Sequence, residues 1–229
     1  MPSLLERVSV IRKRVAEAAV RSGRSPDQIT LIGAAKRQPV DIVQAVVEAG
    51  IEHLGENRVQ ECEDKQPQLV GEIQWHLIGP LQSNKVNRAL DLFDVIQSVD
   101  RLKIAERIQR RANEMGVVMP VFLEVNLGNE PSKHGFAPSS VDNLVERIAS
   151  WNHVSIQGLM AIPPFTGSAE ASRPWFQQLR QLRDQLFDCA PLSSNPGYLS
   201  MGMSSDFEVA IEEGATHVRV GTALFGERS

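Results

Sequence analysis

Leu31-Ile32-Gly33-Ala34-Ala35-Lys36-Arg37-Gln38-Pro39 runs from apolar residues into two cations and a proline. The apolar part reads as a buried strand. Pro39 sets up the first turn of a helix over residues 40–49, and Gly50 ends it. A strand that hands over to a helix through a short loop is one β/α unit. Lys36 stands at the C-terminal end of the strand, where a pocket would strip water from its amine. Dehydration disfavours the ammonium, and a neutral amine can form a Schiff base with a carbonyl compound. A solvated surface lysine is the plain alternative, and the rest of the chain decides between the two.

The same unit recurs. Apolar runs at residues 30–35, 51–54, 74–78, 92–97, 119–126, 154–160, 198–200 and 216–220 read as eight strands. Helical patterns fall between them, over residues 40–49, 57–65, 84–89, 101–115, 141–150, 172–187 and 206–213. Gly50, Gly116 and Gly214 punctuate three helix ends. Repeated strand–helix units predict an α/β fold, a closed parallel (β/α)8 barrel of the TIM type, with a doubly wound open sheet as the alternative. Leu4, Leu5, Val8, Ile11, Val15, Ala18 and Ala19, interrupted by Glu6, Arg7, Arg12, Lys13 and Arg14, make an extra amphipathic N-terminal helix. It is expected to stand in for a full eighth helix. No linker divides the chain, so residues 1–229 are expected to form one domain. The loosest stretches are residues 163–173 and 128–137, the latter with Pro131 and Gly135.

Of the 229 residues, 42% are hydrophobic and 23% charged, with a net charge of −4. That balance suits a soluble globular protein and, with no basic block, argues against nucleic-acid binding. The charged N-terminal helix is not a signal peptide, and no apolar run reaches bilayer length, so no membrane association is expected. Cys62 and Cys189 form no spacing motif and read as reduced thiols, consistent with a cytoplasmic location. The histidines at 53, 76, 134, 153 and 217 lack the spacing of a metal set. Neither a dinucleotide fingerprint nor a Walker loop is present.

Functional groups of such a barrel gather at the C-terminal ends of the strands. Lys36, Asn57, His76, Asn126, Met160, Ser200 and Arg219 all fall on or near those ends. Ser200-Met201-Gly202-Met203-Ser204-Ser205 and Gly221-Thr222-Ala223 follow the last two strands and resemble an anion cradle of backbone N–H groups and hydroxyls. Ser205 with Glu208 also fits a helix capping box. Arg219 interrupts an apolar strand and shares a face with Gly221, so its guanidinium points into the barrel. Its acceptor is either an internal carboxylate such as Glu124 or a ligand heteroatom. Beside the nitrogen of a heteroaromatic ring, Arg219 would keep that ring unprotonated. His76 reads equally as a histidine filling the barrel, and Asn57 as the cap of the next helix. Asn126 and Met160 could line a pocket floor.

Gly-Glu-Asn at 55–57, Trp-His-Leu-Ile-Gly-Pro-Leu-Gln-Ser-Asn-Lys at 75–85, Gly-Leu-Met-Ala-Ile-Pro at 158–163, Leu-Ser-Met-Gly-Met-Ser-Ser-Asp at 199–206 and Val-Arg-Val-Gly-Thr-Ala-Leu-Phe-Gly at 218–226 together closely resemble the pyridoxal phosphate homeostasis proteins, the YggS/PROSC family. That family is similar to the N-terminal barrel domain of alanine racemase, without the racemase's second, β-rich domain. The resemblance implies that Lys36 forms an aldimine with pyridoxal 5'-phosphate (PLP) and that Arg219 approaches the pyridine nitrogen. Ser200, Gly221 and Thr222 would hold the phosphate, with the backbone at Met201 and Ser204, and Asn57 would lie near the ring substituents. It implies a protein that holds or delivers the cofactor without robust turnover, with PLP-dependent apoenzymes as candidate recipients. The short barrel and absent second domain favour a monomer. In the two-domain racemases a tyrosine of the second domain serves the far face of the substrate. Tyr198 is the one tyrosine of this chain and lies on a predicted strand. A PLP-dependent amino-acid racemase and a cofactor-free Schiff-base aldolase acting on a sugar phosphate are the competing expectations.

Overall fold

The computed structural model describes residues 3–130, 133–164, 167–188, 192 and 195–226. Pro131, Cys189 and residues 165–166 of the 163–173 stretch lie outside the described residues. Apolar runs become parallel strands because parallel pairing leaves no face for water; each strand must be covered on both sides. The strands are β1 Thr30–Ala34, β2 His53–Glu56, β3 Gln74–Leu77, β4 Val95–Val99, β5 Met119–Glu124, β6 Val154–Met160, β7 Tyr198–Ser200 and β8 His217–Val220. Each pairs in parallel with the next. Thr30 to Gly33 of β1 pair with His217 to Val220 of β8, which closes the barrel.

The helices are α1 Leu4–Arg21, α2 Val40–Glu48, α3 Val59–Lys65, α4 Val86–Leu92, α5 Leu102–Met115, α6 Val141–Ala149, α7 Arg173–Phe187, α8 Phe207–Glu212 and α9 Thr222–Phe225. Their apolar stripes pack on the outside of the barrel. In α5, Ile104, Ala105, Ile108 and Ala112 are buried at helical spacing, and the helix ends at Gly116 with φ 68°, a conformation that spares glycine a Cβ clash. The expected eighth-helix substitute is observed. The helix α1 begins with a capping box, in which the Ser3 hydroxyl accepts from the Glu6 N–H and Glu6 Oε2 accepts from the Ser3 N–H. It lies against α8 and α9. Arg7 Nε donates to the Leu224 carbonyl at 2.9 Å, Arg14 pairs with Glu208 at 2.8 Å, and Arg21 pairs with Glu212 at 2.9 Å.

Two strands start later than the apolar runs predict. Residues 51–52 precede the pairing, because the Ile51 N–H is used to close the end of α2 on the Val46 carbonyl; β2 begins at His53. Residues 92–94 finish α4 and its exit, with the Phe93 N–H bonded to Ala89, so β4 begins at Val95. A large apolar core fills the layer between strands and helices. Val95, Phe122 and Met160 form a small apolar cluster of their own, which alternation places inside the barrel. The remaining interior is unusually polar. His76, Gln97, Glu124, Ser200, His217 and Arg219 are all buried.

Candidate functional site

A cavity of about 570 Å3 opens at the C-terminal ends of the strands. Lys36, Asn57, Ser204, Arg219, Gly221 and Thr222 line it, with Ile78 and Ile162 as apolar wall. Six of the eight site residues read from the sequence therefore come together. Asn57 also borders a second groove of about 650 Å3 that carries Arg58, Lys85 and Arg101. Arg101 there donates twice to Asp100, at 2.6 and 2.7 Å, so part of its charge is already neutralised.

Lys36 is the first central residue of a tight turn. The Gln38 N–H closes on the Ala35 carbonyl at 3.0 Å, and Arg37 occupies the second central position with φ 59°. A left-handed conformation costs a residue with a Cβ about 1–2 kcal/mol. Two side chains of α3 hold the turn. Lys65 Nζ donates to the Ala35 carbonyl at 2.7 Å, and the Arg37 N–H donates to Glu61 Oε2 at 2.7 Å. Lys65 is itself buried and pairs with Glu56 at 2.6 Å. Burial pushes the Glu56 carboxyl up to about 7 despite that partner, and its Oε2 makes no hydrogen bond.

Across the cavity, the N–H groups of Gly221 and Ala223 converge on one oxygen. Both donate to Ser204 Oγ, at 3.1 and 3.2 Å. Two backbone donors aimed at a single acceptor, beside the Thr222 hydroxyl, form the geometry that holds an oxyanion. A Cβ added at Gly221 would meet nothing closer than Ala34 at 3.6 Å, so the protein itself leaves that space open.

Arg219 forms the floor. It is 4% exposed, and burial pushes its guanidinium down to about 10, opposed by Glu124 and Asp206; it remains a cation at neutral pH. Nη2 donates to the Ala161 carbonyl at 2.9 Å and Nη1 to Ser200 Oγ at 2.6 Å. The chain of hydrogen bonds continues downward. Ser200 Oγ donates to Gln97 Oε1 at 2.7 Å, Gln97 Nε2 lies 3.0 Å from His76 Nδ1, and His76 Nε2 lies 3.0 Å from His53 Nδ1. Burial holds the His76 imidazole well below its ordinary pKa, and His217 falls to about 3 for the same reason, so both are neutral. With Gln97 donating, a neutral His76 carries its proton on Nε2 and donates it as a hydrogen bond to His53 Nδ1. The filament is thereby oriented from the pocket floor to the far end of the barrel.

Several sequence readings are corrected by this geometry. Ser200 is fully buried beneath Arg219 and does not line the cavity, because its hydroxyl is spent on Arg219 and Gln97. Met201 is also fully buried, and its N–H donates to the His217 carbonyl, so its backbone is not available to an anion. Asn57 does not cap α3, which starts two residues later with Arg58 in the capping position. The Ser205–Glu208 box does not form; Asp206 precedes α8 and accepts from the Met203 N–H, while Glu208 pairs with Arg14. Glu124 acts on Arg219 through its field, without a hydrogen bond. Asn126 organises its own loop through Glu130 and Lys133, and Met160 packs on Phe122 inside the barrel. His76 is the barrel-filling histidine. Tyr198 opens β7 at the end opposite the pocket, where its ring lies 5.1 Å from that of His217.

Gln97, Glu61 and Lys65 were not singled out in the sequence. Gln97 carries the same signal as Arg219, a polar residue inside an apolar strand. Glu61 and Lys65 look like ordinary charges of a surface helix, and only the fold turns them inward. Cys62 is buried and its thiol is pushed up to about 12, which leaves it unreactive. Among the described residues, no group of three His, Cys, Asp or Glu side chains is placed to hold a metal ion, and no helix is long and apolar enough to cross a membrane.

Comparison with known proteins agrees with the geometry. The family model for the alanine racemase N-terminal domain matches residues 31–229. A pyridoxal phosphate homeostasis protein of Aquifex aeolicus is 43% identical over 224 residues, covering 97% of each chain. Its namesake in Pseudomonas aeruginosa is 40% identical over 229 residues, covering 100% of this chain and 97% of the relative. Among solved structures, PipY of Synechococcus elongatus PCC7942 with PLP bound superposes with a TM-score of 0.86 at 36% identity, over 98% of this chain and 100% of PipY. An alanine racemase of Clostridium difficile 630 matches at a TM-score of 0.69 and 15% identity over 95% of this chain and 56% of the racemase, a likeness of fold alone. The chain belongs to the pyridoxal phosphate homeostasis protein family and is built on the barrel of the alanine racemase N-terminal domain.

Proposed function

We propose that this chain binds PLP in the cavity at the C-terminal ends of its strands, through Lys36, and serves PLP homeostasis without robust turnover. The observation that carries the reading is the convergence in one cavity of an amine, a dehydrated guanidinium and a two-donor oxyanion cradle. Bound PLP supplies an aldehyde carbon that an amine can attack, a phosphate dianion and a pyridine ring that acts as an electron sink. Lys36 would supply the amine that holds the cofactor at its aldehyde carbon. The N–H groups of Gly221 and Ala223, with the hydroxyls of Thr222 and Ser204, would hold the phosphate. Asn57, on the cavity wall, would lie near the ring substituents. Arg219 would approach the ring nitrogen, and its positive charge would disfavour a proton there, weakening the ring as an electron sink.

Two features support binding without catalysis. Racemisation needs an acid/base on each face of the substrate α-carbon, and Tyr198 lies at the other end of the barrel. Arg219 is held at the pocket floor by Ser200 and Ala161, so its charge stays beside the cavity. The same reading takes the chain as a cytoplasmic single-domain monomer with PLP-dependent apoenzymes as recipients; light scattering and transfer to an apoenzyme test those points. The central test is an absorption spectrum with added PLP, beside Lys36→Ala, before and after borohydride. A visible band that is absent from the variant and fixed by reduction is expected. A protein that stays colourless with PLP would overturn the reading.

A further inference from the structure

We propose that α3 is a clamp that positions Lys36, with Glu61 and Lys65 as its two jaws. This inference rests on the function proposed for Lys36. Glu61 and Lys65 are four residues apart and so share one face of the helix. The carbonyl that accepts from Lys65 Nζ belongs to the peptide group on the N-terminal side of Lys36. The N–H that donates to Glu61 Oε2 belongs to the peptide group on its C-terminal side. Both peptide groups flanking the amine-bearing residue are therefore tied to the same helix. The Glu61 bond holds that C-terminal peptide group where Arg37 takes up its left-handed conformation.

The clamp is anchored from behind. Lys65 is 7% exposed and its ammonium sits 2.6 Å from Glu56, a fully buried carboxylate at the end of β2, so it cannot swing away. Glu61 Oε2 lies 3.9 Å from Lys65 Nζ, close enough for the two jaws to attract each other. Neither jaw lines the cavity shared by Lys36 and Arg219. They act through Lys36 by setting where its side chain starts and where it points. A nucleophile displaced by about 1 Å can lose about a hundredfold in rate, so such a device controls how fast the cofactor is captured and released.

The jaws can be tested without unfolding the protein, because Glu61 is partly exposed. Glu61→Ala removes the acceptor for the Arg37 N–H, Glu61→Gln keeps an oxygen there, and Arg37→Gly removes the strain that the acceptor opposes. Two quantities are measured in full-length protein whose thermal melts match the wild type. One is the rate at which added PLP produces the visible band. The other, in protein without PLP, is the pH profile of Lys36 labelling by acetic anhydride, read by mass spectrometry against the remaining lysines. Glu61→Ala is expected to slow the band by about tenfold to a hundredfold and to move the labelling profile of Lys36, with the lysines outside the clamp unchanged. Glu61→Gln should restore both. In an Arg37→Gly background, Glu61→Ala should cost little. Equal rates and labelling in Glu61→Ala and wild type would overturn the clamp, as would a Glu61→Gln variant as slow as Glu61→Ala. If wild type forms no band with PLP but Glu61→Ala still moves the labelling of Lys36, the functional reading fails and the clamp stands.

Discussion

Arg219 rests on Ser200: guanidinium Nη1 donates to the serine oxygen at 2.6 Å, and the serine proton goes on to Gln97. Ser200 is therefore a support beneath the pocket floor and not part of its lining. Ser200→Ala would leave a buried guanidinium N–H and the Gln97 oxygen unpaired, at about 1–3 kcal/mol. The expected outcome is a lower midpoint in urea unfolding of the PLP-free protein. The preference for PLP over pyridoxal, measured by titration, should be unchanged.

Thr222 gives the opposite pattern. Its side chain borders the cavity beside the converging N–H groups of Gly221 and Ala223. Thr222→Val keeps the shape and removes the hydroxyl. Affinity for PLP should fall by about three- to tenfold, one hydrogen bond's worth, while affinity for pyridoxal stays the same. Equal losses for both ligands would place the phosphate elsewhere.

Glu124 sets a pH dependence with a definite sign. Burial, reinforced by Asp100, pushes its carboxyl up to about 7 from 4.5, against His134 and Arg219. The folded protein thus holds a proton that the unfolded chain has released, and this contribution to stability is full below pH 4.5 and is lost as pH rises to about 7. Glu124→Gln abolishes the effect. Its stability relative to wild type, from urea unfolding at pH 5 and pH 8, should rise with pH by an amount of the order of 3 kcal/mol. His217, pushed down to about 3, acts in the other direction in both proteins and cancels in the difference.

The N-terminal helix is part of the barrel's wall and not an appendage. Ile11 is 2% exposed within the main core. Ile11→Ala should cost about 2–5 kcal/mol, lowering Tm by roughly 2–4 °C per kcal/mol in a calorimetric scan. A change within experimental error would mean that α1 frays from α8 and α9 in solution.

Much of this was legible before any coordinates. The eight β/α units, the placement of Lys36 after the first strand and the cluster of Gly221 and Thr222 after the last follow from period, turn residues and strand alternation. These are local properties, and short stretches of chain express them whatever surrounds them. Strand boundaries depart from the apolar runs where a second strand decides. The runs at 51–54 and 92–97 overlap the true strands but start early, since pairing and helix exits, not hydrophobicity, set where β2 and β4 begin. Ser200 lies beneath Arg219, which local pattern does not show. The final residue of a strand can lie above or below a pocket floor, and only the position of Arg219 tells which.

Order and number of the units, the class of fold and the loops that carry the site are local properties of the chain. The resemblance carried by its motifs was enough to name the family. Tertiary structure decided which polar groups meet. Ser200 reaches Gln97 across 103 residues of chain, and Lys65 reaches the Ala35 carbonyl across 30. Such pairings depend on barrel closure and on the rotation of each helix against its strand. No local pattern encodes these, because a hydrogen bond is directional over about 3 Å, whereas hydrophobic periodicity only says which side of an element is dry.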